Sequence, residues 1–293
     1  MAQEPARARA VGLISAEVLA HVPGFAAGGP SRATRLAGGT VNASFQVETS
    51  AGRFVLRIHD PESKSLGADH EREALLHAAA AAAGLAPALV YVDPGYHFMV
   101  MQHVSGAIWA ADDFARPDCL RKLGVALHAL HSVAPPAVAP FDIGVSLERL
   151  YERLVAALPG ESAALSGLMD RGRAALLVSA PAQRPKTAVH NDLHHTNLVG
   201  TDPLYLLDWE YGAVSDPLLD LACVLAYYPQ ALPHSAALLD ASRMTELASA
   251  EMLTALTWVF MLVSYFWYRL RRLAGPAPAG EVLAEQGLLA RLG

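Results

Sequence analysis

The sequence predicts an α+β fold in two lobes, a small β-rich lobe followed by a larger, mainly helical one. Three observations carry this reading. Strand patterns and turns alternate through the first third, and helical periodicity takes over beyond Gly106. The length of 293 residues also exceeds what one ordinary core organises. The division is expected at residues 1–103 and 104–293, joined through Gln102–Gly106. A cleft between two such lobes is where a ligand would bind.

The elements follow in order. Thr40–Glu48 and Arg53–His59 alternate apolar and polar residues about the turn Thr49-Ser50-Ala51-Gly52, the pattern of a β-hairpin. Asp69–Ala83, rich in Glu, Leu and Ala, is expected to be a helix stopped by Gly84, with Pro87 just beyond. Ala88–Val92 and His97–Met101 flank Asp93-Pro94-Gly95 and predict a second hairpin. Helical periodicity then marks Pro117–Val133, Leu147–Leu158, Ser162–Val178 and much of Ser235–Leu270. A β-rich insert, Thr187–His190, Asn197–Gly200 and Leu204–Leu207, interrupts those helices.

Composition removes several classes of function. Lys plus Arg number 22 against 28 Asp plus Glu, a net charge of −6, so the basic footprint of a nucleic-acid binder is missing. With 53% hydrophobic and 17% charged residues the chain is not globally disordered. Cys119 and Cys223 cannot make a disulfide framework or a cysteine zinc site and are read as small buried residues. Met1–Ala10 carries Arg7 and Arg9 with no apolar core behind them, which is not a secretory signal, so a cytoplasmic location is expected. Met252–Tyr268 is free of charge, at the short edge of a spanning length. Its Thr, Ser and Tyr residues favour a core helix over a membrane span.

Chemistry is concentrated in His190–Asn197, HNDLHHTN. Asp192 and Asn197 stand five apart, and the next acid, Asp208, ends the apolar run Leu204–Leu207. This is the H-x-D-x-x-x-x-N spacing of a kinase catalytic loop, followed by a metal-binding acid at a strand end. A carboxylate must meet the acceptor hydroxyl, while an amide oxygen and a second carboxylate suit Mg²⁺, which prefers hard oxygen ligands. Alone, Asp192 would be a loop residue capping nearby N–H groups, Asn197 a turn residue and Asp208 a strand-end cap. Their common register favours the catalytic reading. His190, His194 and His195 also raise a zinc site, but no H-E-x-x-H pattern or cysteine supports one.

These residues, with Leu206-Leu-Asp-Trp-Glu-Tyr211 and Ser215-Asp-Pro-Leu-Leu-Asp-Leu221, resemble the aminoglycoside phosphotransferase and choline kinase superfamily. The Asp208–Tyr211 string looks most like the bacterial choline/ethanolamine kinase and thiamine kinase branch, and the likeness spans roughly residues 30 to 272. It implies a protein-kinase-like fold and an enzyme that moves the γ-phosphoryl group of ATP (or GTP), with Mg²⁺, to a hydroxyl of a small acceptor. Asp192 would be the catalytic base, and Asn197 and Asp208 the metal ligands. The turn Gly38-Gly39-Thr40-Val41-Asn42-Ala43-Ser44 would cover the nucleotide, with Gly38, Gly39, Thr40, Asn42 and Ser44 at its phosphates, although Gly-Gly-Thr is also a plain turn. Arg57 stands where the family places a basic residue on the phosphates, with Glu73 as its ion-pair partner sixteen residues on. Arginine in place of the lysine of protein kinases keeps the charge and adds bidentate reach. Adenine would meet the backbone at Gln102 and Val104. Asp220 is implied as a brace for the catalytic loop, and Asp216 reads as a helix N-cap.

For the acceptor, Trp258, Tyr265 and Tyr268 recur at i, i+7 and i+10 on one helix face, with Phe260 and Trp267 on another. Such rings can cage a quaternary ammonium, and they can equally be core packing. Trp209 and Tyr211 could add walls; Glu210 could touch the acceptor or occupy a solvated turn. The expected partner is a small, cationic acceptor, choline- or ethanolamine-like first, with thiamine or an aminoglycoside as alternatives. A nucleotide-binding pseudokinase is the rival from another class, and the occupied catalytic positions argue against it.

Overall fold

The computed structural model describes residues 22, 32–36, 42–60, 69–180 and 184–293. Gly38, Gly39 and Thr40 of the expected nucleotide-covering turn lie outside them. Five antiparallel strands, β1 (Arg32–Arg35), β2 (Ala43–Thr49), β3 (Gly52–Ile58), β4 (Leu89–Val92) and β5 (Phe98–Gln102), form one sheet in the order β1-β2-β3-β5-β4. Both expected hairpins are present, with Ser44 opposite Arg57 and Arg57 opposite Met99. One face of the sheet is sealed by Phe45, Val47, Leu56, Phe98 and Val100. Helix α1 (His70–Ala82) begins where the Asp69 carboxylate accepts the Arg72 N–H at 3.1 Å. It stops before Gly84, whose φ of +75° suits glycine.

Beyond β5 the chain is mainly helical: α2 (Pro117–His131), α3 (Ile143–Ala157) and α4 (Ser162–Ser179) come first. Helix α3 starts a turn earlier than its apolar pattern suggests, because the Asp142 carboxylate caps it through the Gly144 and Val145 N–H groups. Two short antiparallel pairs follow, β6 (Thr187–Val189) with β9 (Ala213–Ser215), and β7 (Leu198–Val199) with β8 (Tyr205–Leu206). They hold the His190–Asn197 loop and Asp208 at the strand ends.

The remaining helices are α5 (Leu218–Tyr227), α6 (Ser235–Ala241), α7 (Ala250–Ala274) and α8 (Ala279–Leu292). The long pattern expected over Ser235–Leu270 is thus two helices, because Ser242–Ser249 leaves the helix before the Ser249 hydroxyl caps α7. Helix α8 is not among the helices that periodicity predicts, because Pro276 and Pro278 signal a stop and its restart carries a weak apolar stripe. Helix α7 is long and apolar enough to cross a membrane, yet 61% of its most apolar window is buried in the protein. It packs on α3, α4, α5 and α8, and Phe266 within it is fully buried. That is the packing of a core helix.

Candidate active site

The site is assembled around one guanidinium. Strand β3 is flanked by β2 and β5, so Arg57 projects from the middle of the sheet and is only 6% exposed. Its Nη2 lies 2.5 Å from Asp208 Oδ1 and 3.5 Å from Glu210 Oε2, and its Nε lies 3.4 Å from Glu73 Oε1. Burial works against the arginine's charge, but Asp208, Glu73 and Glu210 outweigh it and raise its pKa. For Glu73, burial pushes the carboxyl upward; Arg57 and the neighbouring His70 and His59 overcome this and hold it at about 2. The sequence-predicted Arg57–Glu73 pair is therefore in contact, with Asp208 and Glu210 added to it.

The His190–Asn197 loop is fixed from behind. Asp220, fully buried, accepts the N–H groups of His190 and Asn191 at 2.9 Å each and the ring Nε2–H of His131 at 2.9 Å. His190 donates from Nε2 to the Leu207 carbonyl at 2.8 Å, which leaves Nδ1 to accept the Asp192 N–H at 3.3 Å. Asn197 Nδ2 then donates both to the Asp192 carbonyl, at 2.9 Å, and to Asp192 Oδ2, at 3.0 Å. With its amide nitrogen so engaged, Asn197 has Oδ1 as its remaining side-chain acceptor. The Leu207 N–H bonds the Asn197 carbonyl at 2.8 Å, and Asp208 follows with φ of +63°, a left-handed backbone that redirects the chain at the strand end.

Asp192, Asn197, Asp208 and Arg57 border one cleft of about 860 Å³. Asp192 retains 18% side-chain exposure, and burial together with the Asp208 charge pushes its pKa up to about 7. Burial, then Asp208, also raises Glu210, whose Oε2 accepts from Asn42 Nδ2 at 2.7 Å. Asn42 in turn accepts the Asp60 N–H at 3.0 Å, so the end of the glycine turn is tied to the far side of the cleft. Ser44 borders the same cleft. Asn197 Oδ1 and the Asp208 carboxylate form a hard-oxygen donor set that fits Mg²⁺.

The three histidines of the loop face apart, which removes the zinc reading for them. His190 turns to Leu207, His195 bonds the Tyr228 hydroxyl through its N–H and Nδ1, and His194 stacks on Tyr227 at 4.1 Å. Burial pulls the His194 pKa down to about 4, so it is neutral beside Asp192.

The aromatic wall differs in membership from the sequence reading. Tyr268 borders the cleft; Trp258 and Tyr265 do not. Trp258 lies under the Arg171 guanidinium, 4.9 Å from its ring, and Tyr265 is buried beside Phe266. Their places are taken by Phe260 and Trp267, the other face of α7, with Tyr211 and Tyr227. Tyr211 meets Trp267 edge-on at 6.2 Å. Trp209 is fully buried behind the loop, bonded to the Leu206 carbonyl, and forms no wall. The i, i+7 spacing of Phe260 and Trp267 was a legible signal; which of two aromatic faces looks into the cleft was not. Arg149 and Arg153, one turn apart on α3, also reach the cleft, with no ion pair to a described residue. Among the described residues, Gln102 and Val104 border a neighbouring cavity of about 670 Å³ with Trp109 and Lys122, and not the cleft of Asp192.

Comparison with known proteins agrees with this architecture. The pattern of the phosphotransferase enzyme family matches residues 32–249. No curated protein matches the chain in sequence. A choline/ethanolamine kinase family protein from Mesorhizobium loti superposes with a TM-score of 0.75 at 23% identity, covering 100% of this chain and 94% of that one. A choline kinase from Streptococcus pneumoniae gives 0.74 at 17% identity, covering 89% and 92%. An APH protein solved as a ternary complex with streptomycin and ATP gives 0.63 at 16% identity, covering 89% and 92%. At these identities the likeness establishes the kinase-like fold.

Proposed function

The chain belongs to the phosphotransferase enzyme family, and we propose that it transfers the γ-phosphoryl group of ATP or GTP to a hydroxyl of a small cationic acceptor, choline- or ethanolamine-like. One observation supports this above all: Asp192, Asn197, Asp208 and Arg57 border a single cleft that Tyr211, Phe260, Trp267 and Tyr268 also line. A carboxyl with a pKa near 7 can accept the hydroxyl proton at neutral pH while the acceptor oxygen bonds to phosphorus. The nucleoside diphosphate then leaves with the electrons of the broken P–O bond. Asn197 Oδ1 and the Asp208 carboxylate would hold Mg²⁺, which supplies charge neutralisation at the phosphates. Arg57 would meet the same phosphates, kept protonated by Asp208, Glu73 and Glu210. Asn197, donating to Asp192 Oδ2, orients the base. Tyr211, Trp267 and Tyr268 offer π-faces to a cation that cannot hydrogen-bond.

A second reading of the acceptor comes from Arg149 and Arg153. Two guanidinium groups on the cleft wall, with no ion pair to a described residue, suit an acceptor that also bears a carboxylate. One experiment serves both: ADP release with Mg²⁺-ATP, comparing choline with carnitine and ethanolamine with L-serine, which differ in bearing a carboxylate, beside thiamine and kanamycin. Release stimulated by one acceptor, and lowered about 100-fold in Asp192→Asn with nucleotide binding retained, is expected. Turnover in Asp192→Asn within threefold of the parent overturns the role of Asp192.

A further inference from the structure

Behind Arg57, its partner Glu73 meets two histidines to which phosphoryl transfer assigns no role. His59, His70 and Glu73 are 6%, 4% and 1% exposed, and their ligand atoms fall within 4.8 Å of one another. His59 Nε2 is 3.5 Å and His70 Nδ1 3.3 Å from the same oxygen, Glu73 Oε2. The protonation of His59 is fixed from its other side. Nδ1 lies 2.7 Å from the Tyr96 carbonyl, which can only accept, so Nδ1 carries the hydrogen. In the neutral ring Nε2 is then a bare lone pair, buried and with no hydrogen-bond partner among the described residues. A lone pair facing a carboxylate oxygen in a buried pocket is an arrangement that calls for a cation between them.

We propose that His59, His70 and Glu73 bind a divalent transition-metal ion of the Zn²⁺ class. Two imidazole nitrogens and one carboxylate oxygen select a borderline ion over Mg²⁺, which takes oxygen ligands. The spacing suits it: bonds of about 2.0–2.1 Å at tetrahedral angles put ligand atoms about 3.3 Å apart, near the 3.3 and 3.5 Å found here. The two imidazole rings are stacked 3.9 Å apart at 7°, so closing on one ion tilts one ring out of the stack. Three protein ligands leave a fourth position for water. Glu73 would give Oε2 to the ion while Oε1 stays beside Arg57 Nε, so one carboxylate links the ion to the guanidinium.

The test is titration of the full-length, metal-stripped protein with Zn²⁺ by calorimetry and with Co²⁺ by visible absorption. His59→Gln and His70→Gln are compared with His97→Gln, which alters an exposed histidine paired with Asp93. One ion per chain at micromolar affinity or tighter is expected, weakened about 100-fold in the first two variants and unchanged in the third. Failure of the wild type to bind one ion, or equal affinity in folded His59→Gln and His70→Gln, overturns the site. If those variants do not fold, the Co²⁺ spectrum of the wild type decides. Intense tetrahedral bands support the site, and the weak bands of an octahedral, oxygen-bound ion overturn it.

Discussion

Arg57 is the residue on which the site's electrostatics turn. Three carboxylates face it, and two of them, Asp208 and Glu210, lie 151 and 153 positions away in sequence. Removing the guanidinium would leave buried like charges unpaired, a loss of about 3–5 kcal/mol for a broken buried pair. Arg57→Met is therefore expected to lower the urea midpoint sharply at pH 8 and to regain part of that loss at pH 5, where the carboxyls can protonate. Asp192 carries a separate pH signature. Its pKa rises from 3.8 to about 7 on folding, so the folded chain keeps a proton that the unfolded chain has released. The stabilisation is fully present below about pH 4, measured against the ionised state, and is lost as pH rises through 7. Melting temperature should fall between pH 6 and 8.5, and Asp192→Asn should flatten that slope. Turnover should show the opposite limb, rising through pH 7 as the base ionises.

Among the elements, α7 has two jobs that its sequence mixes together. Leu253, Leu256, Val259, Leu262 and Phe266 are buried against the other helices, while Phe260, Trp267 and Tyr268 reach the cleft. Two substitutions separate these duties. Trp267→Ala is expected to raise the acceptor KM about tenfold, the scale of a lost cation–π wall, with little change in melting temperature. Tyr265→Ala, at a buried ring beside Phe266, is expected to lower the melting temperature while leaving the acceptor KM near its parent value. Enzyme kinetics and thermal melts on the two proteins read out both outcomes. The elements themselves were largely legible in the sequence, because caps and stops are local. Asp69 starts α1 and Gly84 follows its end, whereas the Asp142 cap set the start of α3 a turn ahead of its apolar pattern. The break at Ser242–Ser249 was not legible, since polar residues within an apolar pattern also suit an exposed helical turn.

Across the whole molecule, specific hydrogen bonds join the first hundred residues to the helical part. Arg57 to Asp208, Asn42 to Glu210, and the Leu206 N–H to the Leu85 carbonyl at 2.7 Å all cross between them. Two of these three links run through cleft residues, so a ligand filling the cleft should add contacts to both sides at once. A nucleotide analogue with Mg²⁺ at 100 times its Kd is expected to stabilise the fold by about 2.7 kcal/mol, seen as one upward-shifted thermal transition. Two separate transitions, with only one shifted, would show that the lobes melt independently and that the ligand contacts one of them.

What the sequence determined by itself follows from covalent spacing. Asp192 and Asn197 share one loop, so their separation of five residues already constrains them to act together, and Asp208 ends the strand beside them. The Arg57–Glu73 pair is an implication of the family resemblance, and the contact between β3 and α1 makes it. What the tertiary structure decided is everything that depends on packing between distant segments. It put Glu210 and Asn42 in contact across 168 positions, turned the Phe260–Trp267 face of α7 toward the cleft, and buried Trp209. It also brought His59 and His70 onto one oxygen of Glu73. Side-chain periodicity marks a helix face as apolar, but the same pattern serves core and pocket, and only the neighbours brought up by folding distinguish them.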